Sequence, residues 1–155
     1  YLQSKFNDII LKIMSEISTP SWFKTIVLLA ILWNLAGIFN FYLGVSITPE
    51  QINELTESER NRLNGSPLWT TIAFAIGVFG GLIGSVGLFL KKAWAMFPLL
   101  ISLIAVFSQM SYGLFFTSAV ESNELSKYLL PILTILVAYL LLRLCNNGIK
   151  KGYIV

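Results

Sequence analysis

The chain of 155 residues contains no histidine. That removes the side chain most used as a general base near neutral pH, and with it the commonest neutral metal ligand. Only one cysteine is present, Cys145, so no internal disulfide can form and the redox compartment stays unread. At the end of an apolar run it reads as a small apolar residue, with lipidation or a reactive thiol as the alternative. Charge is scarce too: 12% of residues are Asp, Glu, Lys or Arg, against about 25% in a water-soluble domain. A soluble fold of this composition would lack the polar surface to cover its core. No basic cluster with interleaved aromatics occurs either, so the net charge of +3 does not point to nucleic acid.

What is abundant is apolar residue. Hydrophobic residues make up 55% of the chain and the mean hydropathy is +0.73, the profile of an integral membrane protein. Its clearest segment is Ala73–Leu90, AFAIGVFGGLIGSVGLFL, which carries no charge and runs into Lys91-Lys92. Gly77, Gly81 and Gly84, and likewise Gly80, Gly84 and Gly87, recur at three- or four-residue spacing. The spacing gathers the glycines on one helix face, where a neighbouring backbone can approach closely. In a soluble helix each would cost about 1 kcal/mol relative to Ala, so the segment makes sense as a packed helix in lipid.

Four apolar runs divide the chain into an all-α, four-transmembrane-helix antiparallel bundle, with spans expected at about 22–45, 68–90, 93–116 and 128–144. Twenty-four residues at about 1.5 Å each cover roughly 36 Å, enough to cross a hydrocarbon core of ~30 Å with some tilt. Residues 1–18 place Leu2, Phe6, Ile9, Ile13 and Ile17 on one stripe and are too polar to span. They read as an amphipathic helix on the membrane surface, or as an upstream extension with Met14 as the start. Ser18-Thr19-Pro20-Ser21 and Ser66-Pro67 supply a capping residue followed by proline before spans one and two. Thr48-Pro49-Glu50-Gln51 predicts a capping box opening one short external helix through Leu63, with Ile47 and Ile52 set for a hydrophobic staple. Lys91-Lys92 reads as a tight turn, 117–127 as a polar connection with Glu121 and Glu124, and 148–155 as a basic tail.

Orientation follows from the cations beside the spans. One side collects Lys5, Lys12, Lys24, Lys91, Lys92, Arg143, Lys150 and Lys151, the other only Arg60, Arg62 and Lys127. The positive-inside rule then puts both termini in the cytoplasm, with the loops at 46–67 and 117–127 outside.

Within the spans the only ionisable acids or bases are Lys24 and Arg143, both near span ends. No buried Asp, Glu or His is present as a proton relay, so a proton-driven carrier and an enzyme are both disfavoured. No cofactor and no metal site is expected. Neutral polar residues remain: Asn34 and Asn40 in span one, and the stripe Ser102, Ala105, Gln109, Tyr112 in span three. Asn40 and Gln109 lie roughly 7–9 Å outward of their span midpoints, at a shared depth. An unpaired amide in hydrocarbon is costly. The expectation is a ligand-binding polar cluster of Asn34, Asn40, Gln109 and Tyr112 opening outward between spans one and three. The alternative is ordinary interhelical hydrogen bonding without a ligand. For Gly77, Gly80, Gly81, Gly84 and Gly87 the role is helix packing, inside the bundle or across a homodimer.

The pieces Trp33-Asn34-Leu35-Ala36-Gly37, Thr48-Pro49-Glu50, Ala73-Phe74-Ala75 with Phe79-Gly80-Gly81 and Gly84, Lys91-Lys92-Ala93-Trp94-Ala95, and Ser102-Leu103 with Gln109-Met110 cover most of residues 20–116. In these pieces the chain resembles a group of small bacterial four-span membrane proteins often labelled sugar transporters. The resemblance implies a transporter-like protein of the bacterial inner membrane that binds or passes a small neutral solute, and offers no catalytic or transport residue to carry over. The other class is an accessory or structural subunit packing against a membrane partner through the glycine face of span two. Expected partners are the lipid bilayer and either a homo-oligomer or a larger membrane complex.

Overall fold

In the computed structural model the described residues are 3, 5, 6, 19–116 and 126–155. The expected N-terminal surface helix falls almost wholly outside them, as does the connection at 117–125. Six helices follow in order: α1 (Ser21–Val45), α2 (Pro49–Glu54), α3 (Glu57–Gly65), α4 (Leu68–Phe89), α5 (Met96–Phe116, entered through a 3-10 turn at Ala93–Ala95) and α6 (Ser126–Lys150). Four of them, α1, α4, α5 and α6, are long and apolar enough to cross a membrane. The architecture is an all-α four-helix membrane bundle, and the chain is a multi-pass membrane protein.

The helices pack in chain order, α1 on α4, α4 on α5 and α5 on α6, with the α4–α5 pair the most extensive. Central α4 is accordingly the most buried span and outer α6 the least. In lipid, burying apolar surface against another helix gains no transfer energy, so close van der Waals contact and interhelical hydrogen bonds must hold the row together. The glycines supply that contact. A methyl group at Gly84 would lie 2.5 Å from Leu99 Cγ, one at Gly77 2.8 Å from Val106 Cγ2, and one at Gly80 3.2 Å from the Pro98 carbonyl. At Gly87 it would meet Ala95 and the Trp94 ring at 2.8–3.0 Å. All four positions therefore face α5 and its entry turn. On the other side of α4, Val78 fills the space over Gly37 of α1. Phe41 then stands edge-on to Phe74 and Phe79 at 5.9 and 6.2 Å.

Several local features differ from expectation. Proline itself is the N-cap at Pro20 and Pro67, with no side-chain cap in either place. The external segment is two helices rather than one. Thr48 forms the expected capping box with Gln51, but Thr56 forms a second with Glu59, and Leu55 between them is extended. Thr56-x-x-Glu59 is itself a capping-box signature, and a chain that starts a new helix must leave the old one. Arg60 closes the break, donating from Nη2 to the Asn53 carbonyl at 3.0 Å and the Leu55 carbonyl at 3.5 Å. At the start of α2 the Glu50 carboxyl is held below its ordinary pKa, first by its own backbone N–H and then by the Thr48 hydroxyl.

The last span is also longer than the expected 128–144, running on to Lys150. The residues after it are not a loose tail. Gly152 takes φ 73°, Tyr153 N–H bonds to the Gly148 carbonyl, and the chain turns back under the bundle. Val155 N–H donates to the Lys91 carbonyl and Ala93 N–H to the Val155 carbonyl, both at 2.9 Å. Ile154, 3% exposed, joins Phe23, Val27, Leu88, Leu141 and Cys145 in one apolar cluster. Burial of one isoleucine and two backbone hydrogen bonds thus tie the chain's last described residues to the α4–α5 turn.

Candidate functional site

The polar groups at mid-membrane meet in one place, a notch at Gly81 in the middle of α4. A side chain there would overlap Asn34 Oδ1 of α1 and lie 3.2 Å from Ser102 Oγ of α5. Asn34 Nδ2 donates to the Ala30 carbonyl at 2.8 Å and, at a longer 3.4 Å, to Ser85 Oγ. Ser85 donates to the Gly81 carbonyl at 2.7 Å, and Ser102 crosses from α5 to the Gly77 carbonyl at 2.6 Å. Asn34, Ser85 and Ser102 are all buried. Each of these donors has an acceptor within the bundle, as a polar group in hydrocarbon requires. The node joins three helices and leaves no donor for a ligand.

The four expected ligand-binding residues are not brought together, because α4 lies between α1 and α5. Asn34 belongs to the node. Asn40 is exposed and donates back to the Ala36 carbonyl of its own helix at 2.9 Å. Tyr112 stacks edge-on against Trp69 of α4, ring centroids 5.2 Å apart. Gln109 lies on the α5 face toward α4, and its Oε1 is buried with no donor among the described residues. The Phe41–Phe74 and Tyr112–Trp69 contacts set Asn40 and Gln109 both near residues 73–75 of α4. Depth does not give azimuth, and the two amides stand on different sides of the central helix.

Ser85 was missed. Its signal was nevertheless present: Gly77, Gly81 and Ser85 recur every four residues, the small-residue period of close helix contact. That stripe faces α1 as well as α5, so one helix carries two overlapping small faces.

A cavity of about 360 Å³ is a cleft between α4 and α5 that opens sideways. Ala73 and Ala105 form its floor, Ile76, Ile101 and Ile104 its walls, and Trp69 and Ser108 complete the lining. Ser108, the hydrogen-bonding side chain on the α5 wall, donates to the Ile104 carbonyl of its own helix. The second cavity, about 220 Å³, sits at the lysine-bearing end between Phe23, Lys24 and Val27 of α1 and Phe89 and Lys91 at the end of α4. Among the described residues there is no cluster of metal-ligating side chains. Comparison with protein-family models, with curated proteins and with solved structures finds no match to this chain.

Proposed function

We propose that this protein is a non-enzymatic membrane subunit that works by lateral association, seating a transmembrane helix of a partner membrane protein in the cleft between α4 and α5. The observation that carries this reading is the division of polarity. Mid-membrane donors are satisfied inside the Gly81 node, while the cleft between α4 and α5 is apolar and opens toward lipid. A small-residue floor between isoleucine walls fits a helix ridge; it offers a sugar-like solute almost nothing to bond. The partner face differs from the one the glycines suggested, because α5 already covers Gly77, Gly80, Gly84 and Gly87. The lysine-bearing end of the bundle faces the cytoplasm by the positive-inside rule, in the bacterial inner membrane that the resemblance implies, and reporter fusions at the two described ends of the bundle test that orientation.

A photo-crosslinking residue at Ser108, in native membranes, tests the association. A discrete protein adduct is expected there, absent when the probe replaces lipid-facing Leu136 of α6 and lost when Ala105→Phe fills the floor. Lipid adducts alone at position 108 would overturn the reading. Passage of a small neutral solute, the reading the resemblance implies, has one observation in its favour: the unpartnered buried oxygen of Gln109. Uptake of monosaccharides or polyols by proteoliposomes, above protein-free vesicles and abolished by Gln109→Leu, would restore it.

A further inference from the structure

The α4 and α6 helices end side by side in the same motif, and the two ends differ in one informative residue. At α6, Gly152 N–H bonds to the Ile149 carbonyl and Tyr153 N–H to the Gly148 carbonyl, with Gly152 left-handed. At α4, Lys91 N–H bonds to the Leu88 carbonyl and Lys92 N–H to the Gly87 carbonyl, with Lys91 left-handed at φ 58°. Both are Schellman turns, whose left-handed position is ordinarily glycine because a Cβ there is strained. A lysine in that position costs stability, and such an outlier is a reason to ask what the side chain does.

Lys91 is half-buried and lines the 220 Å³ pocket together with Lys24. The rest of the lining, Phe23, Val27 and Phe89, is apolar. Neither lysine has an ion-pair partner among the described residues, whose acids all lie at 50–59, at the far end of α1 and α4. Two ammonium groups with no acid beside them among the described residues, over an aromatic floor at the level where spans leave the membrane, match a phosphate with a hydrocarbon chain attached. We propose that this pocket binds an anionic phospholipid, its phosphate held between Lys24 and Lys91 and its acyl chain running down along Phe23 and Phe89. Basic pockets between spans on the cytoplasmic side are a recurring way of holding such headgroups.

The test is native mass spectrometry and fluorescent-lipid titration of the full chain with phosphatidylglycerol, phosphatidylcholine and inorganic phosphate. Phosphatidylglycerol is expected to bind in preference to phosphatidylcholine. Affinity should fall about fivefold for each lysine removed and about thirtyfold in Lys24→Gln/Lys91→Gln. Lys91→Gly separates binding from folding: it relieves the backbone, so the fold should become more stable while lipid binding weakens. Lys150→Gln/Lys151→Gln removes the same charge at the same membrane end but outside the pocket, and should leave binding intact. Equal losses in both double variants, or unchanged binding in Lys91→Gly, would overturn the proposal. Displacement of the lipid by millimolar inorganic phosphate would also overturn it, by making the pocket a site for aqueous phosphate.

Discussion

Gly84→Ala isolates the contact on which the row of helices depends. The added methyl would sit 2.5 and 2.6 Å from Leu99 Cγ and Cδ2 and 3.2 Å from the Leu99 backbone nitrogen. Comfortable carbon–carbon contact begins near 3.5 Å, so about 1 Å of separation must be found. Rotating Leu99 cannot supply it, since that residue is 2% exposed and the third neighbour is backbone. α4 and α5 must move apart, and overpacking of this kind costs about 1–3 kcal/mol. Alanine also favours helix over glycine by about 1 kcal/mol, which would mask part of the loss. Gly44→Ala in α1 narrows that ambiguity, because nothing lies within 4 Å of the methyl it adds. Gly44 sits in the last turn of α1 and gains at most the same propensity, so the difference between the two variants is a lower bound on the contact, about 1–3 kcal/mol. That corresponds to about a five- to 150-fold change in the folding equilibrium. Reversible unfolding in bicelles by added SDS, followed through the fluorescence of Trp22, Trp33, Trp69 and Trp94, measures it. Equal stability of the two alanine variants would refute close α4–α5 packing through the glycine face.

Four further outcomes are expected. Ser102→Ala removes the one hydroxyl that crosses from α5 to the Gly77 carbonyl. It should cost about 0.6 kcal/mol and no more than about 1.7, the average and maximum for interhelical hydrogen bonds in membranes, in the same SDS titration. Ile154→Ala empties a position packed over Gly148 and Phe23. It should lose about 2 kcal/mol or more, with faster hydrogen exchange at Ala93 and Val155 N–H. Arg60→Ala frees the Asn53 and Leu55 carbonyls on the exposed helix pair. Proteolysis should rise between residues 53 and 60 while SDS resistance of the bundle stays the same. Cys145 is fully buried within the apolar cluster, so maleimide should modify it only after unfolding, and labelling of the native protein would contradict the packing of α6 on the cluster.

Length and apolarity settled the four spans from the sequence alone, because a bilayer of fixed thickness admits little besides a helix of some twenty apolar residues. The Thr48 capping box and the glycine periodicity in α4 were legible for the same reason: each depends on neighbours three or four residues away. The second box at Thr56 carried an equally local signal that the single-helix reading passed over. Which helix stands between which others was decided only in three dimensions. Asn40 and Gln109 share a depth, yet depth along an axis says nothing of rotation about it or of the order of helices around the bundle. Placing α4 in the centre sends Asn34 to Ser85 and Gly81, leaves Asn40 on the outside, and brings Tyr112 to Trp69. The fold-back of residues 153–155 was likewise invisible, since it depends on a partner, the Lys91 turn, some sixty residues earlier in the chain. Local chemistry wrote the helices; long-range packing chose their neighbours, and with them the two pockets.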